Sequence, residues 1–495
     1  MNRCPGTFRG YRLLAGGLAL AAAAGLARGQ TGDTEHAPPK TLSAPAAAAP
    51  TARPLGHIGR LIAAAADGDT IEIPLGVYRE LIRIDRPLTL IGRPGAILDG
   101  GGTGDIVEIA APDVTLRGFT IRNTGIDLDK ENAAIRVLAP RAVIENNTLE
   151  NILFGIDLKA APDSAIRGNR IGGKKLDIAR RGDGLRLWRS DNTLVEGNVI
   201  HDGRDAILWY STGVVIRGNE SYDCRYGLHL MFSDEVTIED NVLSGNSVGV
   251  YLMYSAGVEL RGNRLLRNRG PSGYGIGLKE TDRFTVTDNV IAANRVGVYI
   301  DGSPFTTVQP GLFTGNTIAW NDIGFTFLPS VRGNEIAGNN FIDNIEQISV
   351  AGRGDLSGNR FWAGDRGNFW SDYTGYDEDG DGVGDFVHES MTLFENMMDR
   401  EPSLRLFLFS PAQQAIEFVG RVLPAVRPEP KFIDEVPLMR PVAVASARPE
   451  AAPAGPLAAT GAGLLALGAG VLWAASPRGG GIRRRRGTTH DGSRS

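Results

Sequence analysis

Short phrases in the middle of the chain alternate apolar residues with residues of mixed character. Eight of them read GIDLK, GLRLW, AILWY, GLHLM, GVYLM, GIGLK, GVYID and GFTFL. In every phrase the second and fourth residues are apolar; in AILWY they are Ile207 and Trp209, which leaves Leu208 and Tyr210 at outer positions. Because successive side chains of a strand point to opposite faces, the alternation predicts strands with one buried face.

A second phrase sets the interval between these strands. It contains an asparagine after Gly or Asp, as in AIRGNRI, TIEDNVL and TVTDNVI. The intervals are 29, 21, 22, 22, 26 and 27 residues, and the asparagines are Asn169, Asn198, Asn219, Asn241, Asn263, Asn289 and Asn316. A strand repeat of about 22 residues, with no helical pattern between the strands, predicts an all-β fold, a right-handed single-stranded parallel β-helix. We expect the asparagines at turns, where their amides can bond up and down the stack.

The pattern also suggests how the central part of the chain is divided. The β-helix is predicted over residues 55–360, because DTIEIPLGVY and VTLRGFTI carry the same alternation towards the N-terminus. A capping region with an Asp-rich loop is predicted over 361–410. Residues 411–442 are interpreted as a partner-docking segment, in which Pro411–Leu423 has apolar residues at helical spacing and predicts an amphipathic helix.

The two ends of the chain differ in composition from the repeat. Residues 1–30 join a basic start to an apolar run and predict a signal peptide. Residues 31–54 and 443–456 are rich in Ala and Pro, and predict linkers. Residues 457–486 run from LAATG through an apolar stretch to four arginines, and predict either an LAxTG-like sorting signal or a C-terminal membrane anchor. Both interpretations place the protein outside the cytoplasm.

Net charge argues against nucleic-acid binding, and the cysteine content excludes an internal disulfide bond. The net charge is −5 and the isoelectric point is near 5.8, so the chain lacks the basic balance of a nucleic-acid-binding protein. Cys4 lies in the predicted signal peptide, and Cys224 would be the only cysteine of the mature chain. An internal disulfide bond is therefore excluded.

Two consecutive phrases, GLHLMFS and GVYLMYS, place soft side chains at outward positions. His229 and Met231 hold the third and fifth positions of one coil, and Tyr251 and Met253 hold the same positions of the next. Neighbouring coils are about 4.8 Å apart, so the two methionines should be adjacent. Imidazole and thioether groups suit Cu(I). We therefore interpret His229, Met231 and Met253 as ligands of an exposed Cu(I) site that a donor protein could reach, bordered by Tyr251 and Tyr210.

Residue types leave two other interpretations of this patch open. Methionine and aromatic side chains are also typical of protein–protein interfaces, and a column of aromatic rings can hold a sugar chain. The other outward residues include Asp157, Lys159 and Arg186, which are scattered over several coils. Paired carboxylates of the kind that a glycosidase needs are not evident, so we do not expect an enzyme.

A second candidate metal site lies in the sequence YDEDGDGVGDFVH. Four aspartates occupy positions 1, 3, 5 and 9 of a calcium-loop pattern, and they are Asp377, Asp379, Asp381 and Asp385. The twelfth position holds His388 in place of the glutamate of an EF-hand. A Ca²⁺ site and a metal-free acidic turn are both consistent with this pattern.

Several phrases together resemble the NosD family of nitrous oxide reductase maturation proteins. They include RPLTLIGRPGAILDGGG, GLHLMFSDEVTIEDN, GVYLMYS, GNFWSDYTGYDEDGDGVGD and LFLFSPAQQAIEF, and the resemblance spans residues 55–442. It implies a periplasmic, non-enzymatic β-helix of the CASH type that works with the membrane and ATPase subunits of an ABC transporter. It further implies that the protein receives copper from a copper chaperone and helps to assemble the copper–sulfur centre of nitrous oxide reductase.

One segment departs from that family pattern. The LAATG tail (457–461) suits a cell without an outer membrane, which makes attachment to the cell surface or the membrane the expected location. The alternative from another class is an extracellular protein that binds or modifies polysaccharides, because related solenoids often act on such substrates. Fold analogy alone does not separate these two functions.

Overall fold

The computed structural model describes residues 56–443, apart from residues 353, 391 and 427. The predicted signal peptide (1–30), the linker over 31–54 and the sorting or anchor segment (457–486) lie outside the described residues. So does the linker predicted over 443–456, apart from its first residue.

A right-handed parallel β-helix forms the body of the protein, as the repeat predicts. Three parallel sheets run along it, and strands of successive coils are neighbours within each sheet. The first sheet contains Thr70–Ile73, Thr89–Gly92, Thr115–Arg117, Val143–Glu145, Ala165–Arg167, Leu194–Glu196, Val215–Arg217, Thr237–Glu239, Glu259–Arg261, Thr285–Thr287, Gly311–Thr314 and Asn334–Ile336. The second contains Gly76–Tyr78, Ala96–Asp99, Thr120–Arg122, Thr148–Ile152, Arg170–Gly173, Val199–His201, Glu220–Tyr222, Val242–Ser244, Arg264–Leu266, Val290–Ala292, Thr317–Ala319, Asn340–Ile342 and Phe369–Trp370. The third contains Ile82–Ile84, Val107–Ile109, Ala133–Val137, Phe154–Lys159, Leu185–Trp188, Asp205–Trp209, Tyr226–Met231, Val248–Met253, Tyr274–Lys279, Val296–Asp301, Ile323–Phe327 and Glu346–Val350.

The inner columns of the third sheet follow the predicted alternation in seven of the eight phrases. The exception is AILWY, where Ala206 and Leu208 point into the core while Ile207 and Trp209 lie on the outer face. Strand pairing sets Ile207 beside His229, and the register shifts between Asp205 and Ile207. The prediction was wrong here because four apolar residues in a row carry no alternation from which the inner face could be read.

The asparagines form a buried ladder along one corner of the β-helix. Asn219 donates from its backbone and its side-chain amide to Oδ1 of Asn241, at 2.9 and 3.0 Å. Asn241 makes the same pair of contacts with Asn263. The predicted bonding up and down the stack is confirmed. A second ladder, which the sequence pattern did not reveal, links Asn246, Asn268, Asn294, Asn321 and Asn344 at the next corner.

Helices lie at the two ends of the solenoid. Helix α1 (His57–Ala64) buries Ile58 and Ile62 over the first coils. Helices α2 (Leu393–Arg400) and α3 (Pro411–Val422) follow the last coil. Short 3₁₀ helices span Ile178–Arg180, Pro402–Phe407 and Pro424–Val426, and an antiparallel pair joins His388–Glu389 to Ile433–Asp434. Within 56–443, where described, no helix is long and apolar enough to cross a membrane.

Helix α3 confirms the amphipathic helix predicted over Pro411–Leu423. Ser410 caps its N-terminus by accepting a hydrogen bond from the backbone of Gln413. Phe418 and Val422 remain exposed on it, so part of its apolar surface is free of contact with the rest of the described chain.

The segment after α3 returns to close the C-terminal end of the β-helix. Phe432 joins the hydrophobic core. Asp434 is buried, and its Oδ2 accepts hydrogen bonds from the backbone of Asn368 at 2.7 Å and from Nε1 of Trp370 at 2.8 Å. Val442 is bonded to Asn340 on the second sheet. This part of the predicted docking segment therefore stabilises the β-helix itself.

Candidate metal centre

His229 and Met253 meet on the outer face of the third sheet. Nε2 of His229 lies 3.3 Å from Sδ of Met253, close enough for both atoms to bind one ion. Strand pairing sets His229 beside Tyr251 and Met231 beside Met253, as the sequence predicts. The soft side chains therefore occupy two adjacent columns in two successive coils.

Asp205 supports His229 from the other side of the imidazole ring. Its Oδ2 lies 3.4 Å from Nδ1 of His229, and Arg225 donates two hydrogen bonds to the same carboxylate. Burial alone would raise the pKa of Asp205, but the hydrogen bonds from His229 and Arg225 outweigh it and hold the pKa below its usual value. An ionised carboxylate at Nδ1 favours the tautomer that carries its proton there and leaves the Nε2 lone pair directed towards Met253.

Met231 is close to this pair but its sulfur is already engaged. Nε1 of Trp209 lies 2.9 Å from Sδ of Met231 and donates to it. Trp209 can make this contact because it lies on the outer face, contrary to the sequence prediction. Of the three predicted ligands, the structure thus brings His229 and Met253 into contact and places Met231 alongside, held by the indole.

Tyrosine rings cover the imidazole. Tyr226 packs edge-on against His229 with ring centroids 4.9 Å apart, and Tyr251 stacks on it at 6.2 Å. His229 is only 6% exposed as a result, whereas Met231 and Met253 are half-buried. The expected exposed site is therefore open mainly through its sulfur atoms. Burial raises the pKa of Tyr251, so its phenol stays neutral.

Tyr210 lies in a separate aromatic row at the end of these strands. Its ring stacks on Phe232 at 5.1 Å, and Phe232 stacks on Tyr254 at 5.0 Å. Tyr210 and Phe232 are exposed. The predicted outer strand position of Tyr210 is wrong by one residue, because Trp209 occupies the column of Met231 and Tyr210 follows the strand end.

Cys224 does not belong to the site. It is buried in the hydrophobic core, and burial raises the pKa of its thiol to about 12. Its Sγ lies 3.4 Å from the carbonyl oxygen of Tyr222. A protonated, enclosed thiol is not a ready metal ligand.

Charged side chains on the preceding coils pair with one another. Arg186 is hydrogen bonded to both Asp157 and Glu131, and Arg136 bridges Asp157 and Asp105. These contacts hold the pKa of Glu131 at about 2, chiefly through the Arg186 guanidinium. The outward charges that looked scattered in the sequence thus pair with one another in a network on the coils that precede His229, Met231 and Met253.

The Asp-rich loop brings together three of its four predicted ligands. Carboxylate oxygens of Asp377, Asp379 and Asp381 lie within 4.8 Å of one another. Asp385 instead accepts a hydrogen bond from the backbone of Glu378 at 2.7 Å. His388 stacks on Trp370 with ring centroids 5.0 Å apart, so it does not take the place of the glutamate in an EF-hand.

Fold and site together define a candidate metal-binding protein, a β-helix that carries imidazole and thioether groups on its outer face. Residues 167–375 match the family model described as periplasmic copper-binding protein (NosD). The chain is 33% identical over 413 residues to the probable ABC transporter binding protein NosD of Pseudomonas aeruginosa, covering 78% of this chain and 91% of that protein. It is 30% identical over 385 residues to the protein of the same name from Stutzerimonas stutzeri, covering 74% and 86%. This chain belongs to the NosD family, which confirms the resemblance seen in its sequence.

Solved structures give a weaker likeness. The A-module of the mannuronan C-5 epimerase AlgE6 from Azotobacter vinelandii aligns at 16% identity with a TM-score of 0.49. The alignment covers 62% of this chain and 93% of that module.

Proposed function

We propose that this protein handles copper outside the cytoplasm for the maturation of nitrous oxide reductase, in concert with an ABC transporter. The observation that carries the proposal is the contact of His229 Nε2 with Met253 Sδ, 3.3 Å apart and backed by Asp205. The family's description as periplasmic and copper-binding, and the transporter named in its relatives, support it.

The chemistry of these side chains suits a copper ion that is bound reversibly and passed on to another protein. Two neutral ligands, imidazole and thioether, bind Cu(I) without cancelling its charge. The ion then remains attractive to acceptors that carry thiolates or several imidazoles. The indole N–H of Trp209 occupies one of the two lone pairs of the Met231 sulfur, so Met231 would be a weaker third ligand than Met253. Entry and exit take place past the half-buried methionines, since tyrosines cover the imidazole.

Copper binding is tested by replacing the ligands without disturbing the core. The variant H229A/M231A/M253A should lose Cu(I) affinity, measured under reducing conditions by competition with a colorimetric chelator. Met253→Leu alone should weaken binding more than Met231→Leu, because the sulfur of Met231 is held by Trp209. Met397→Leu, on α2, is the matched control and should bind as the parent does. Parent-like affinity in the triple variant would refute the site.

Asp205 provides a second test, because it contacts the proposed ligand His229 and not the metal itself. Replacing Asp205 with Asn removes the negative charge at Nδ1 of His229. Loss of a carboxylate that is hydrogen bonded to a metal-binding histidine lowers metal affinity about 10- to 100-fold, and we expect the same here. Asp301→Asn is the control, because that carboxylate pairs with Lys279 on the same face, four coils beyond Asp205. If both substitutions lower copper affinity equally, Asp205 acts through general electrostatics and not by orienting the imidazole.

Three partners follow from the proposal: the transporter's membrane and ATPase subunits, a copper chaperone that delivers the ion, and nitrous oxide reductase that receives it. Helix α3 is the proposed transporter contact, since Phe418 and Val422 are exposed on it. Deleting all of 411–442 would also remove Phe432 from the core, so point substitutions are the better test. F418S/V422S should abolish co-purification with the transporter, whereas Val308→Ser, at a site that is 87% exposed, should not. Retained co-purification of the double variant would place the contact elsewhere.

A further inference from the structure

A cleft of about 610 Å³ lies on the same outer face, between the last coils and the 3₁₀ helix Pro402–Phe407. Its floor consists of two adjacent columns of the third sheet. One column contains Val296 and Ile323, and the other contains Tyr299 and Thr326. Pro402 and Leu408 form the opposite wall. A concave, mainly apolar space of this size is typical of small-molecule sites.

Thr326 places an unused polar atom on this floor. Its residue is only 8% exposed, and Oγ1 has no hydrogen-bond partner in the described part of the chain. A buried hydroxyl without a partner costs free energy that a bound molecule could recover by forming a hydrogen bond. The neighbouring hydroxyl of Ser349, by contrast, is bonded to Asp399 at 2.9 Å.

The carboxylates in the lining of the cleft are already neutralised. Asp322 is paired with Arg269, and Asp399 with Lys431. Glu346 is paired with both Arg405 and Lys431. A charged ligand would have to break one of these pairs or be buried without a counter-ion, which is unfavourable. Arg295 lies at the exposed rim, where it donates to the carbonyl oxygen of Ser272.

We propose that this cleft binds an uncharged, mainly apolar small molecule that forms one hydrogen bond with Thr326 through an oxygen atom. Tyr299 adds an aromatic surface at one end, where its ring stacks on Tyr274 at 4.5 Å. The cleft does not include His229, Met231 or Met253, although its Tyr274 packs edge-on against Tyr251 with ring centroids 6.4 Å apart. Its occupation does not require copper.

Nile red, a neutral flat dye with a carbonyl oxygen, is the probe for this site. Titration followed by the blue shift of its emission should show one site per chain in the full-length, copper-free protein. Ile323→Trp fills the cleft from an outward position and should weaken binding at least tenfold. Thr326→Val keeps the shape but removes the hydroxyl, and should weaken binding about three- to tenfold, as expected for one hydrogen bond.

Two control variants separate the cleft from other apolar surface. Val308→Trp adds the same indole at an exposed position outside the cleft, and Phe409→Ser removes an exposed ring from the cap; both should bind the dye as the parent does. Parent-like binding by Ile323→Trp and Thr326→Val would overturn the proposal, and so would loss of binding in Phe409→Ser. Should Ile323→Trp fail to fold, judged by its circular dichroism, the nearly isosteric Thr326→Val decides the outcome alone.

Discussion

The asparagine ladder predicts a large local cost for a single substitution. Asn241 is fully buried and contacts both neighbouring coils. Its Oδ1 accepts from the backbone and the side chain of Asn219, and its Nδ2 donates to the carbonyl of Ile216 and to Oδ1 of Asn263. Asn241→Ala removes all four contacts while leaving the apolar core columns unchanged.

The destabilisation expected for Asn241→Ala depends on which buried polar groups lose all of their hydrogen-bond partners. The backbone N–H of Asn219 has Asn241 Oδ1 as its acceptor, so it becomes an unpaired buried donor, at about 1–3 kcal/mol. The side-chain amide of Asn219 keeps its contacts with the carbonyls of Val195 and Arg217. The lost hydrogen bonds with Ile216 and Asn263 add roughly 1 kcal/mol more. We expect a destabilisation of about 2–4 kcal/mol, concentrated in these coils.

Hydrogen exchange followed by mass spectrometry measures this effect where it arises. Peptides that contain the Asn219 amide should exchange faster in Asn241→Ala, by a factor set by the lost local stability, whereas peptides from the first coils should not change. Asn396→Ala is the control, because this asparagine lies on α2 and its side chain makes no hydrogen bond within the described residues. Unchanged exchange at Asn219 in Asn241→Ala would refute the argument that the ladder stabilises each coil through its neighbour.

Three further predictions concern the core, a buried acid and the Asp-rich loop. Leu230→Asp puts an unpaired carboxylate into the core and should cost several kcal/mol, seen as a lower thermal midpoint; an unchanged midpoint would contradict the inward assignment. Burial raises the pKa of Asp183 to about 6 despite its pairing with Arg204. The folded state therefore keeps this proton up to a higher pH than the unfolded state does. Between about pH 4 and pH 7 the free energy of unfolding of the parent should fall by on the order of 3 kcal/mol relative to that of Asp183→Asn, measured by denaturant titration. A difference between the two proteins that does not depend on pH would contradict the raised pKa. If the loop binds Ca²⁺, millimolar calcium should raise the thermal midpoint of the parent but not that of a variant with Asn at Asp377, Asp379 and Asp381.

The fold is predictable from the sequence because a solenoid repeats its signals. Seven phrases with period-2 alternation agree on one inner face, and the asparagines from Asn169 to Asn316 mark one corner of seven successive coils. The same repetition is enough to set His229, Met231, Tyr251 and Met253 in adjacent columns, and the strand pairing confirms that placement. The pattern within one repeat is enough to predict the whole fold, since each coil contacts mainly the coils next to it.

The missed features depend on contacts that alternation does not encode. The sequence pattern predicts Trp209 in the core because AILW is apolar throughout; the structure pairs it with Met231 on the outer face, where its indole donates to the sulfur. Asp205 lies at a register shift, so its approach to His229 could not be counted from the repeat. The cleft beside Thr326 requires the cap to fold back over the last coils, which no repeat phrase specifies.

The order of features along one face explains how a regular scaffold can hold an irregular site. The early coils of the third sheet carry paired ions around Asp157, the middle coils carry His229 and Met253, and the last coils carry the apolar cleft. Outward residues can vary from coil to coil because the core columns and ladders already fix the backbone. In the proposed metal site, Nε2 of His229 and Sδ of Met253 lie 3.3 Å apart on a backbone that the core columns and ladders set. The imidazole is covered, whereas the two methionines are half-buried, so a partner protein would approach the sulfur atoms first. A preorganised ligand pair with an accessible side is the combination that the proposed copper transfer requires.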